Sequence, residues 1–242
     1  MRKYKLFCFP HAGGSTYLYC KWNKLLSHDI QLIPVEYCGR GERSREAFYP
    51  NYEAMICDLY EKFNNHINYG DKFIFFGHSL GAFVAYELAK QLELRGIKGL
   101  LQLYVSGTEG PKYHYFETKN KISHLSNDKF LKEIEKYGGF NEEIMEDKES
   151  HNYFLSILRN DFRIVETIPK QGYIHKLNTD IFVLNGAYDL GIDKQKVDNW
   201  TEATNKTCVI RYFPGHHFYI EKHYPHIVNL INKSVIKDVN VR

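Results

Sequence analysis

The chain has 242 residues, 43% hydrophobic and 25% charged, the usage of an ordinary globular protein long enough to fold without metals or disulfides. Its 32 basic and 29 acidic side chains leave a formal charge of +3, which argues against a protein that binds nucleic acid by neutralising phosphates. No apolar run approaches the roughly 18 residues of a membrane span, and the apolar stretch near Met1 is too short for a signal-peptide core. A cytoplasmic protein with no membrane attachment is expected. Cys8, Cys20, Cys38, Cys57 and Cys208 are odd in number and include no Cys-x-x-Cys pair. They predict reduced thiols rather than a disulfide framework or a zinc site.

Taken in chain order, short β-branched and aromatic runs alternate with helical patterns, which predicts a mostly parallel sheet with helices on its faces. Strands are expected at 6–9, 31–36, 73–76, 101–105, 180–184 and 209–213, several of them near-continuous apolar runs suited to burial on both faces. A helix begins after Ser79, carries Phe83, Val84, Leu88 and Leu92 near helical spacing, and stops before Gly96. From about 108 to 178 no strand pattern is visible, only helical ones at 128–134 and 151–159. So long a helical stretch between two strands predicts an inserted lid over one edge of a single 1–242 domain.

Four segments carry the chemistry. Gly77-His78-Ser79-Leu80-Gly81 lies between a buried strand and a helix, the setting of a nucleophile elbow, with the hydroxyl of Ser79 raised above the sheet. A serine needs a base, and the base an orienting acid. Asp189 follows the 180–184 strand at the sheet edge where open α/β sheets place their sites, ahead of its competitors Asp193 and Asp198. The last strand runs into Pro214-Gly215-His216-His217-Phe218, and the spacing alone does not choose between the two histidines. Near the start, His11-Ala12-Gly13-Gly14 follows the first strand. Its glycine turn and the elbow helix would offer the backbone N–H groups of Ala12 and Leu80 to a developing oxyanion.

These segments resemble the type II thioesterases of non-ribosomal peptide and polyketide synthesis, members of the α/β-hydrolase superfamily. The likeness runs through Phe9-Pro10-His11-Ala12-Gly13-Gly14, Gly39-Arg40-Gly41-Glu42-Arg43, the elbow, Val105-Ser106-Gly107, Leu125-Ser126-Asn127-Asp128, Leu158-Arg159-Asn160-Asp161-Phe162, Trp200 and the closing histidine segment. It implies an α/β-hydrolase fold with a helical lid, and a Ser79–Asp189–His217 triad. The family's closing Gly-Gly-His-Phe motif aligns its histidine with His217 and its second glycine with His216. Cys38 stands where the family usually has proline. The resemblance further implies an enzyme without metal or cofactor of its own, acting on acyl groups held by the phosphopantetheine arm of carrier-protein domains; a monomer is expected. A medium-chain fatty acyl thioesterase or a small-molecule esterase would use the same triad.

Overall fold

The computed structural model describes residues 3–113, 121–135, 148–169 and 174–240. Six parallel strands form one sheet: β1 (Tyr4–Phe9), β2 (Ile30–Pro34), β3 (Lys72–His78), β4 (Leu100–Ser106), β5 (Asp180–Gly186) and β6 (Cys208–Phe213). Their order across the sheet is β2-β1-β3-β4-β5-β6. The chain therefore steps from β1 to β2 on one side, then returns to lay β3 on the other. Beyond the carboxyl ends of β1 and β3 the connections part in opposite directions, which opens the crevice where such sheets hold ligands.

Alternation along the strands divides the core in two. Phe7, Phe9, Phe73 and Phe75 face α1 (Tyr52–His66) and α2 (Leu80–Leu94), where Met55, Leu59, Phe63, Val84 and Leu88 close the layer. Leu6, Cys8, Ile74 and Phe76 face the other way, onto Tyr19 and Trp22 of a 3-10 segment and onto Ile227, Val228 and Ile231. Each such aromatic or aliphatic side chain contributes roughly 1.5–3 kcal/mol by leaving water. Both faces are covered, as an all-parallel sheet requires.

Helix starts follow local chemistry. The Asn51 side chain accepts a hydrogen bond from the Ala54 N–H and caps α1. Gly96, at φ 71°, takes the left-handed conformation just past the end of α2. Between β4 and β5 the described residues hold α3 (Asn127–Ile134) and α4 (Lys148–Val165), joined by Phe130, Ile134, Leu155 and Leu158. Residues 114–120, 136–147 and 170–173 of the expected lid lie outside the described residues. After β5 come α5 (Lys194–Val197) and a 3-10 turn over Asp198–Ala203, and after β6 the long α6 (Ile220–Asn240). Strand boundaries differ from the sequence pattern by one or two residues: β1 starts at Tyr4, β3 runs on to His78 and β5 to Gly186, and β2 ends at Pro34 rather than at residue 36. The Val35 N–H still donates to the Cys8 carbonyl at 2.9 Å, and beyond it the Glu36 carboxylate accepts the Thr16 hydroxyl at 3.0 Å.

Candidate active site

Ser79 sits between β3 and α2 with φ 53° and ψ −116°, and it is the one non-glycine residue with positive φ among the described residues. Such a backbone costs on the order of 1–3 kcal/mol and persists only when its surroundings enforce it. The Ser79 N–H donates to the Ser106 carbonyl at 2.7 Å, which ties the turn to β4. The flanking glycines are there for space. A Cβ on Gly77 would lie 2.0 Å from the Gly81 carbonyl oxygen, and one on Gly81 would lie 2.0 Å from that of Phe9. Any other residue pushes α2 away from β3 at the first position, or away from β1 at the second.

Asp189 and His217 come from the loops after β5 and β6. The His217 Nδ1 and Asp189 Oδ2 are 2.7 Å apart, and both residues are buried. The second carboxylate oxygen, Oδ1, accepts the Gly191 N–H at 3.0 Å, so the carboxylate is held from two sides. Gly186, at the end of β5, lets the histidine loop cross. A Cβ there would lie 2.2 Å from the His216 carbonyl oxygen. His216 itself is exposed and bonds through Nδ1 to the Tyr188 carbonyl, away from the cavity. Asp193, the competing acid, caps α5 through the Gln195 N–H.

Ser79, His217, Ala12 and Leu80 line a single cavity of about 170 Å³. Its remaining wall is largely apolar, with Phe83 from α2, Leu158, Phe162 and Val165 from α4, and Ile192 and Phe218 from the loops. Ala12 stands at the mouth of the turn after β1, and Leu80 is the first residue of α2, whose N-terminus favours negative charge. Such an arrangement suits attack by a hydroxyl on an acyl carbon whose oxygen turns towards backbone donors.

Two further histidines, not among the site residues expected from the sequence, complete the surroundings. His78 lies 5.1 Å from the His217 ring, centroid to centroid, and its Nδ1 is 2.9 Å from the Ser106 hydroxyl, which in turn meets the Tyr219 hydroxyl. Burial holds His78 well below the ordinary histidine range. His11, bonded to the Ala12 carbonyl, is likewise lowered by burial, to about 4. Both are neutral at neutral pH. The signal that could have found them is the motif itself, since each adjoins a glycine turn at a strand end.

Among the described residues the one group of potential metal ligands is Cys38, Glu46 and Asp58. Arg43 already occupies its centre, with Nε 2.8 Å from Glu46 and Nη1 2.8 Å from Asp58. That guanidinium supplies the positive charge a metal would bring. No described helix is long and apolar enough to cross a membrane.

The thioesterase-domain family model matches residues 4–235. The thioesterase PikA5 of Streptomyces venezuelae is 30% identical over 237 residues, 96% of this chain and 81% of that protein. The linear gramicidin dehydrogenase LgrE of Brevibacillus parabrevis is 31% identical over 234 residues, 95% of this chain and 87% of that protein. No Gly-x-Gly-x-x-Gly nucleotide turn occurs in this sequence to match the second name. Among solved structures, ClbQ from the colibactin NRPS/PKS pathway superposes with a TM-score of 0.90 at 30% identity, over 99% of this chain and all of that one. The match from β1 to the last helix, on a parallel sheet with its serine elbow at the switch point, means that the chain belongs to the thioesterase family, on the type II branch of non-ribosomal peptide and polyketide synthesis.

Proposed function

We propose that this thioesterase clears acyl groups from the phosphopantetheine arms of carrier-protein domains in a peptide or polyketide synthetase, with Ser79, His217 and Asp189 as its triad. The observation that carries the reading is the 2.7 Å His217–Asp189 bond beside the strained Ser79, all at one cavity. His217 takes the Ser79 proton as Oγ attacks the thioester carbonyl, and the oxyanion is received by the N–H groups of Ala12 and Leu80. The tetrahedral intermediate expels the pantetheine thiol, protonated by His217. Water, deprotonated by the same imidazole, then attacks the acyl-serine and frees the acid. Asp189 fixes the imidazole tautomer and stabilises its charged form throughout. No metal or cofactor of the enzyme's own enters any step. Within a single domain, α3 and α4 act as the lid, and the apolar wall of α4 receives the acyl chain.

Replacing Ser79 tests this. Ser79→Ala should lose activity by a factor on the order of 10⁶, the loss seen when a serine protease loses its nucleophile. A fluorophosphonate should label the unaltered protein and not the variant. Labelling that persists in Ser79→Ala overturns the assignment. Hydrolysis compared across an acyl-carrier protein, an acyl-CoA and a nitrophenyl ester separates the editing role from a fatty acyl thioesterase or a simple esterase. The editing reading expects the carrier-bound acyl group to have the highest kcat/KM.

A further inference from the structure

Two motifs remain without a part in that chemistry, Gly39-Arg40-Gly41 and the Asn160-Asp161-Phe162 segment of α4. Their side chains meet under the turn that follows β1. Arg40 and Asp161 are both 2% exposed. They form a two-pronged ion pair, Nη1 to Oδ2 at 2.6 Å and Nη2 to Oδ1 at 2.5 Å. Neither stops at its partner. The Asp161 Oδ2 also accepts the Gly13 N–H at 2.7 Å, and the Arg40 Nη1 donates to the Gly14 carbonyl at 3.0 Å.

Four successive peptides of the turn are therefore held. The His11 carbonyl accepts the Gly14 N–H at 2.9 Å. Because a trans peptide points its N–H opposite its carbonyl, that bond also aims the Ala12 N–H. The Ala12–Gly13 peptide is fixed at its oxygen by His11 and at its nitrogen by Asp161. The Gly14 carbonyl, two residues on from that of Ala12, is fixed by Arg40. Gly13 sits at φ 77°, a conformation open to glycine but strained for other residues, and Leu158 of α4 closes on it so nearly that a Cβ would lie 2.8 Å away. A charged acceptor on a backbone N–H is about twice as strong as a neutral one.

We propose that Asp161, steadied by Arg40, is the positioning residue of the oxyanion turn, so that α4 both walls the acyl cavity and aims the Ala12 N–H. The proposal rests on the reading of that N–H as an oxyanion donor. It is tested with two double variants, neither of which leaves a buried charge unpaired. Arg40→Gln/Asp161→Asn keeps an acceptor for Gly13 and a donor for Gly14, and should retain kcat within about threefold. Arg40→Met/Asp161→Leu keeps neither, and should lower kcat by about 10- to 100-fold with KM within about twofold, less than the 10²–10³ for outright removal of an oxyanion donor. An alkyl boronic acid, which forms a tetrahedral adduct on serine, should lose affinity by the same factor. A pantetheine thioether, which forms no adduct, should keep its Kd.

Thermal melts check that both variants are folded. If the apolar pair does not fold, Arg40→Gln/Asp161→Leu, which removes only the acceptor for Gly13 and leaves no buried charge, is read by the same split of kcat against KM, with a several-fold loss expected. Equal kcat in the two folded doubles would make the ion pair structural only and overturn the proposal. A matching loss of thioether binding would place the damage in the cavity rather than the turn, and would overturn it as well. Failure of the boronic acid to bind the unaltered protein would instead sink the underlying oxyanion reading.

Discussion

His216 and His217 are neighbours in the chain, yet the loop after β6 turns them to opposite sides, one onto the exposed Tyr188 carbonyl and one onto buried Asp189. Gly215, at φ 132°, permits that rotation. His217→Ala should consequently abolish most turnover, whereas His216→Gly should keep it within about an order of magnitude, the scale of a group that touches only a neighbouring loop. Steady-state rates on an acyl-carrier thioester decide it, and the reverse pattern would move the base by one residue. The spacing held both histidines but not the choice, which only the family resemblance made, because which way a loop residue points depends on the backbone angle of a glycine before it. Ser79 was legible for the opposite reason: its strain is written into two glycines at fixed spacing. Asp161 had no local signature as a partner of Gly13, since 148 positions separate them.

At the level of elements, the strands stood out because each is an apolar run bounded by turns, and five of the six pair where the pattern puts them. β2 ends early, past the Val35 N–H bond to Cys8, where Glu36 bonds to Thr16 instead. Helices α1 and α6 were not among the expected elements, although Tyr52, Met55, Ile56, Leu59 and Phe63 recur at helical spacing along α1. The wall of the cavity was less readable. Val165 and Leu158 read simply as the apolar stripe of a helix, and only packing shows that the stripe is shared between the core and the cavity. Filling that space has a definite consequence. Val165→Trp should reduce kcat/KM for long acyl chains by about tenfold or more while an acetyl thioester is processed nearly as before, since a few lost methylene contacts are worth ~1–3 kcal/mol. A series of acyl-carrier substrates of rising chain length measures this, and a uniform loss across the series would remove α4 from the acyl site.

For the molecule as a whole, the buried neutral histidines link stability to pH. Burial lowers His11 from 6.5 to about 4 and holds His78 well below the ordinary histidine value, so below pH 6.5 the unfolded chain binds protons that the folded one refuses. Stability is then full above the unfolded histidine value and declines as pH falls through it. The melting temperature should drop between pH 6.5 and 4, and His11→Gln should drop less over the same interval; identical slopes would rule His11 out as a source. The order of assembly follows from the topology. Each strand after β1 and β3 adds to an outer edge, and β6, which delivers His217, is placed last. A chain emerging from the ribosome folds from its amino end. It can therefore carry the serine, the glycine turn and most of the sheet while still lacking the proposed base. On that triad, newly synthesised chains should stay chemically silent until the final strand is in place, with hydrolysis beginning only in the finished fold.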